Sequence, residues 1–486
     1  MNMFFLRSPG PLLLLFLLAM PDWAVASSDA AGLSSSKAPP QTMQVAPRLD
    51  LRPVRAGEFR SPIVAARSLP DRGHSAGSPA SAASAGTDSS AGLSPETLVQ
   101  QVLERNQGIV AMQAAADAAT AQIESAGALD DPMVSYAMAP NTFDGPRQGL
   151  NQNVQFSQKL PWPGTLKLRT RAARAAVESA EQQVADVRLR LSAGARAQYA
   201  QWYYVHRALA VNGENTSLMT RLNRVAETAY ASGLAPQQDV LQAQVELTRL
   251  RNQELELKRM RRTVRAGINT LLNQDPDAMV PAPEGLPTDT TLPAYAVLRN
   301  AALARYPRLL ALDARLTASR DRLDLAHKNN LPNFNVMAGY NSLMDMPAKR
   351  FTVGVSINIP FGGNHRGEIG AAHARVREAE ATLADARSQL LGDLDQTYAS
   401  ASQAADSIRL YSTELLELSK LNLQAAEADY SSGNGDFLKL ITAERQYLGF
   451  KLELARARAD FFTQRASLDY QTGGALLPAT AQDAGP

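Results

Sequence analysis

The chain has 486 residues, of which 45% are hydrophobic, 20% charged and 6% aromatic, with no cysteine and a formal net charge of +2. That length allows two or three ordinary domains, and an abundance of Ala, Leu, Gln, Glu and Arg suits long packed helices better than a compact mixed core. The near-neutral balance and the lack of a basic tract interleaved with aromatics argue against nucleic acid as a partner, and without cysteine the fold must hold by packing alone.

In chain order, "MNMFFLRSPGPLLLLFLLAMPDWAVASS" has basic Arg7, an apolar core from Leu12 to Met20 and an Ala24-Val25-Ala26 ending. This is the layout of a secretory signal peptide over residues 1–26. As a membrane anchor the apolar core falls well short of the ~20 residues a spanning helix needs. Residues 27–93 are rich in Ser, Ala, Gly and Pro, as in "SAGSPASAASAGTDSSAG", and bury too little apolar surface to offset the cost of ordering, which predicts a disordered extension. Helical pattern starts at "SPETLVQQVLERN", where Ser94 can cap a helix with Pro95 at its first position.

From there the sequence is an internal duplication. "LERNQGI" from Leu103 matches "LARYPRL" from Leu303, and Asp131-Pro132 matches Leu331-Pro332, both at a spacing of 200. "QKLPWPG" matches "INIPFGG" through Pro161 and Pro360 at a spacing of 199, a slip that falls between the two prolines of each half, where a loop can absorb it. "YASGLAPQQDVLQA" from Tyr230 matches "YSSGNGDFLKLITA" from Tyr430, again at 200. The expected organisation is a first repeat over 94–273, a Pro-rich connector over 274–294, a second repeat over 295–473 and a tail over 474–486. Each repeat reads as helix, strand pair, long helix, tight turn and return helix.

The strand pairs are marked by period-two alternation. "RFTVGVSINIPF" sets Phe351, Val353, Val355 and Ile357 against Thr352, Gly354, Ser356 and Asn358. "NFNVMAGYN" does the same, and "DPMVSYAMA" and "LNQNVQFSQKL" repeat it less cleanly. Alternation of this kind fits a membrane β-barrel strand, apolar toward lipid and polar toward the lumen, and fits equally a half-buried soluble hairpin. About eight strands is the smallest membrane barrel, so four strands per chain require an oligomer on the first reading.

The long helices favour an extended assembly. The pattern runs without proline from Gly164 to Ala231 and again from about Asn364 to Ser432, each ~100 Å at ~1.5 Å per residue, a length typical of coiled coils. The return helices carry the sevenfold apolar series Ala243, Leu250, Leu257, Val264, Leu271 and Leu440, Tyr447, Leu454, Phe461, Leu468. Gly233 and Gly433 sit where the long helices stop, and Pro236 and Asp436 can begin the return helices. Two roles stay open for these turns: simple helix stops, or an interaction surface that also uses Tyr230 and Tyr430.

Taken together, the paired Tyr-x-x-Gly turns, "DVLQAQ" from Asp239, the "LPWPG" and "IPFGG" junctions and the two-copy layout resemble the TolC-type family of outer-membrane efflux channels over nearly the whole of Ser94 to Gly473. The resemblance implies a mixed α/β membrane protein. A homotrimer would complete a twelve-stranded barrel in the outer membrane, four strands from each chain, continued by a helical coiled-coil barrel across the periplasm. It places Gly233, Gly433, Tyr230 and Tyr430 at a periplasmic tip that docks an adaptor protein joined to an inner-membrane pump. It gives Asp239 and Tyr430 to a hydrogen-bond network that holds the entrance closed. Asp436, Lys439 and Thr442 join Asp239 at that entrance, but Lys439 and Thr442 stand where well-known members carry acidic side chains. Lys439 either faces the pore or turns sideways into a salt bridge. Trp162 and Phe361, after the matched prolines, suit an interfacial aromatic belt or ordinary packing at the barrel-to-helix join.

Nothing in the sequence marks a catalytic site, a cofactor site or a resident metal. The histidines His74, His206, His327, His365 and His373 are scattered, and no HExxH, Gly-x-Ser-x-Gly or phosphate-cradling Gly-Lys-Ser/Thr motif occurs. Met344 and Met346 form a two-methionine loop, a soft-metal contact or an incidental pair. The expected function is that of a passive exit duct in a tripartite pump. The segment "DDPMVSYAMAPNTFDG" to "QKLPWPGTLKLR" looks most like the branch exporting heavy-metal cations. Multidrug efflux and one-step protein secretion are alternatives within the fold, and an exported coiled-coil scaffold is the alternative from another class.

Overall fold

In a computed structural model of the chain the described residues are 92–139, 151–342, 347, 350–360 and 364–476. The signal peptide, the extension up to residue 91, Met344, Met346, Phe361 and the tail from 477 lie outside them. The first repeat consists of α1 (Pro95–Arg105), α2 (Gln107–Gly127), β1 (Met133–Ala139), β2 (Asn151–Leu160), α3 (Thr165–Ala231) and α4 (Gln237–Leu271). The second consists of α5 (Tyr295–Arg305), α6 (Pro307–Asn329), β3 (Asn333–Asn341), β4 (Phe351–Asn358), α7 (Asn364–Leu410), a π-helical segment (Tyr411–Leu415), α8 (Leu416–Ser431) and α9 (Phe437–Gln471).

Local chemistry sets the helix ends. Ser94 caps α1 by accepting from the Thr97 N–H at 3.1 Å, and Asn106 breaks the chain between α1 and α2 while its side chain accepts from Gly108 N–H at 2.9 Å. In the second repeat Pro307 opens α6 directly after Tyr306. The C-termini of α3, α4, α8 and α9 all close with the paired bonds of a Schellman turn. For α3, Leu234 N–H donates to Ala229 O at 2.8 Å and Gly233 N–H to Tyr230 O at 2.9 Å. The left-handed residue is Gly233 (φ 71°), Gly433 (φ 80°) or Gly473 (φ 71°), and Asn273 (φ 54°) at the fourth site, the residue best able to replace glycine there.

The second long helix departs from expectation. Rather than one uninterrupted α-helix it has a π turn at Tyr411–Leu415. α7, the π segment and α8 run 47, 5 and 16 residues, one more in total than the 67 of α3. The repeat spacing is 199 at Pro161/Pro360 and 200 again at Gly233/Gly433, so the second half carries one additional residue between junction and tip. A π turn holds such a residue within the helix while leaving the α-helical register on either side intact.

Helix α3 packs on α2 and α6 near the strands and on α4 and α9 toward the tip, and α7 packs on α6 and α9. One core gathers Leu98, Val102, Tyr199, Trp202 and Ile268; another gathers Leu298, Leu309, Leu394 and Leu468. The connector is tied to the middle of α3: Trp202 Nε1 donates to Pro281 O at 2.8 Å, and Tyr199 Oη lies 2.9 Å from the carbonyls of both Leu93 and Gly285. Leu93, assigned from composition to the extension, is buried and exchanges backbone bonds with Ala282 and Glu284. Ordered structure therefore begins ahead of Ser94, because Leu93 fills the first core.

The strands form one antiparallel sheet in the order β1-β2-β3-β4. Its register puts Tyr136 opposite Val154, Val154 opposite Tyr340 and Tyr340 opposite Phe351. Every strand therefore turns its valine, isoleucine and aromatic residues to the same side, while Met133 and Met337 fall on the other with Ser157 and Gly354.

Candidate functional site: a bare sheet and a helical tip

The apolar face of the sheet runs from Val134 and Tyr136 on β1 to Phe351, Val353, Val355 and Ile357 on β4. It is uncovered within the chain: Phe351 is 75% and Val353 83% exposed. A soluble half-buried sheet would lay that face on helices. Here β1 and β4 also present unpaired edges, an arrangement that invites pairing with further strands. Asn153, Gln155, Asn335, Thr352 and Ser356 alternate onto the other face. Trp162, just past β2, stacks on Phe334 of β3 at 5.9 Å between ring centroids and is partly exposed; it thus packs at the join and faces solvent there at once.

At the other end of α3 the two helix turns form the tip. The tyrosines that the repeat pairs are not equivalent. Tyr230 is 48% exposed, whereas Tyr430 tilts against Phe437 at 5.2 Å and its hydroxyl is buried with no hydrogen-bond partner. Asp239 lies close enough to raise the Tyr430 pKa, a smaller effect than that of burial. Asp239 is itself raised, first by burial and then by the charge of Asp436. The structure thus gathers Asp239, Asp436 and Tyr430 but forms no bond between Tyr430 and Asp239 in the single chain. Asp436 has a local task, accepting from Leu438 N–H at 3.0 Å to cap α9. Lys439 and Thr442 are both exposed. Lys439 makes no ion pair among the described residues, while Thr442 bonds back to Leu438 O at 2.7 Å.

Two acidic residues lie buried near the tip. Glu246 on α4 is 1% exposed and pairs with Arg249 at 3.1 Å and with Arg445. Glu444 on α9 is fully buried, with both carboxylate oxygens unpartnered. Burial first, then the charges of Glu246 and Glu427, push its pKa up to about 8. Glu246 carries no sequence signal of burial, because Leu247, four positions after Ala243, already supplies the second apolar position of the heptad. The histidines also meet more than their spacing suggested, since the His327 and His373 rings lie 5.8 Å apart between α6 and α7. No group of three or more metal-binding side chains forms among the described residues.

The family model described as outer membrane efflux protein matches residues 98–274 and 298–474, once per repeat. A curated relative, Protein CyaE of Bordetella pertussis, is 26% identical over 318 residues, covering 62% of this chain and 66% of its own length. Among solved structures, the outer membrane protein VceC of Vibrio cholerae superposes with a TM-score of 0.67 at 18% identity, over 79% of this chain and 97% of its own. CusC gives 0.69 at 17% identity over 78% and 92%. The open-state MtrE outer membrane channel of Neisseria gonorrhoeae gives 0.65 at 18% over 79% and 89%.

Proposed function

The chain belongs to the outer membrane efflux protein family, and on that footing we propose that it is the outer-membrane exit duct of a tripartite efflux pump, working as a homotrimer. The observation that carries the reading is the uncovered four-stranded sheet, apolar along one face and free at both edges, joined to helices ~100 Å long. Three copies supply twelve strands, close the edges and give the apolar face to lipid. The helices then continue the duct through the periplasm.

Exposed Tyr230 and Leu234, the latter 84% exposed, give the tip an apolar contact surface for a periplasmic adaptor that couples the duct to an inner-membrane pump. Transport energy comes from that pump, and the duct itself is passive. The entrance is set by Asp239, Asp436, Lys439 and Thr442. Its cargo is heavy-metal cations, a reading that rests on the resemblance of the β1–β2 segment to that branch.

The test is a deletion strain grown across graded copper, silver, zinc, cobalt and cadmium beside lipophilic drugs and dyes, with fractionation of the wild-type protein. Outer-membrane recovery of a heat-resistant trimer and sensitivity to metals alone is the expected result. Sensitivity to drugs and dyes instead would replace the cargo and leave the duct. A soluble periplasmic protein with no trimer would favour the coiled-coil scaffold.

A further inference from the structure

Helix α4 carries Lys258, Arg259, Arg261, Arg262 and Arg265 in a run of eight residues. Four of these, at i, i+3, i+4 and i+7, share one face and line a cavity of about 480 Å³, with Trp202 and His206 of α3 also in its wall. Acidic partners are few. Glu254 pairs with Lys258 at 2.7 Å, and Asp277 is shared between Arg262 at 3.7 Å and Arg265 at 2.9 Å. Arg261 meets no carboxylate within salt-bridge distance among the described residues. Two nitrogens of residues that line the cavity, Arg265 Nε and His206 Nε2, are buried without a hydrogen-bond partner. Burial, and then the charge of Arg261, hold His206 below its ordinary pKa. It is therefore neutral at pH 7 and its ring adds hydrogen-bonding capacity rather than charge.

Two ordinary explanations for such a run fail here. Favourable charge at a helix C-terminus acts within the last turn, and Arg262 lies about two and a half turns before Leu271. Packing does not require arginine either, and the internal repeat is the control. Two hundred positions on, Arg261 and Arg262 are matched by Phe461 and Phe462 of α9, which are 3% and 7% exposed. The same helix position in the same fold is filled by core phenylalanines in one half and by solvent-reaching arginines in the other. The arginines answer to something other than the fold.

We propose that this cavity binds a small polyanion of the phosphate or carboxylate class. Arg261 and Arg262 supply charge-assisted hydrogen bonds, and Arg265 Nε and His206 Nε2 complete their hydrogen bonding on the ligand. Trp202 is a fixed wall, since its indole N–H is already committed to Pro281 O at 2.8 Å. The charged face spans ~10 Å from Lys258 to Arg265 at ~1.5 Å per residue, so a ligand with two or more linked anionic groups fits better than a single small ion.

The test uses purified full-length protein titrated calorimetrically with pyrophosphate, and separately with citrate, at constant ionic strength and pH 7.5. Saturable binding of one anion per chain is expected, weakened roughly tenfold to a hundredfold in the Arg261→Gln/Arg262→Gln double variant. The tighter of the two probes assigns the phosphate or the carboxylate source. Both arginines are exposed, so the ligand-free melting temperature of the variant should match wild type; Arg409→Gln, at an exposed pair with Asp406, should bind like wild type. No saturable binding of either anion, or equal binding by the double variant, overturns the proposal. The assay reads no transport, so its failure leaves the duct reading untouched, and a failed duct reading leaves the cavity to be judged by its own titration.

Discussion

A fully buried carboxyl with neither oxygen partnered cannot stay ionised cheaply, and Glu444 is such a group. Its pKa rises from 4.5 to about 8, so between those values the folded chain keeps a proton that the unfolded chain has lost. Stability that is present below pH 4.5 is then lost as pH climbs to about 8. At ~1.36 kcal/mol per pKa unit the loss is about 5 kcal/mol at most. Glu444→Gln should melt like wild type near pH 4.5 and be the more stable protein above pH 8. Paired thermal melts at the two pH values check this, and an equal difference at both would count against a neutral buried Glu444. Arg221 and Arg445 oppose the shift but do not bond the carboxylate. Gly433 poses a simpler case. At φ 80° a side chain is strained, so Gly433→Ala should cost about 1 kcal/mol, whereas Gly392→Ala, inside α7 with open space at its Cβ, should gain about 0.5–1 kcal/mol. Denaturant melts of the two variants should move in opposite directions.

At the level of elements, the π segment and the sheet each make a claim that can be tested. If the π turn holds the additional residue of the second repeat, deleting Ser412 converts Tyr411–Leu415 to α-helix and leaves the faces of α7 and α8 where they were. Deleting Thr216 from α3 has no such reservoir and rotates every residue beyond it by ~100°. The first deletion should preserve the assembled protein and the second should destroy it, as read by circular dichroism and by recovery of trimer. In the sheet, Val355 lies on the apolar face and Ser356 on the polar one. Val355→Arg should cost about 2–4 kcal/mol of membrane insertion, and Ser356→Arg far less; comparing yields in the outer-membrane fraction separates them. Equal losses would mean that the apolar face does not meet lipid.

For the whole molecule, β1 and β4 lie at opposite edges of the sheet, so within one chain they do not pair. In a closed trimer each β1 meets a neighbour's β4. The chain has no cysteine, which makes the experiment clean: Ser135→Cys with Ser356→Cys, and pairs shifted by two residues along each strand, should on mild oxidation give covalent dimers and trimers for at least one register. Monomer throughout would exclude barrel closure through these edges.

The sequence alone carried the duplication, the positions of the tip turns and the alternating strands, because each is written in residues close along the chain: a glycine that tolerates positive φ, a two-residue period, a sevenfold series. It also held the step from 199 back to 200 in repeat spacing, though not the device that absorbs it, since a π turn leaves no local compositional mark. What only the tertiary structure decided depends on distant residues. Tyr230 and Tyr430, equal in sequence, part company because only the second packs on Phe437. Glu246 and Glu444 become a buried acidic pair because α4 and α9 meet at the tip. Arg261, Arg262 and His206 become one cavity because α3 lies against α4. Desolvation and cavity shape are properties of what surrounds a residue, and those surroundings come from helices that the sequence separates.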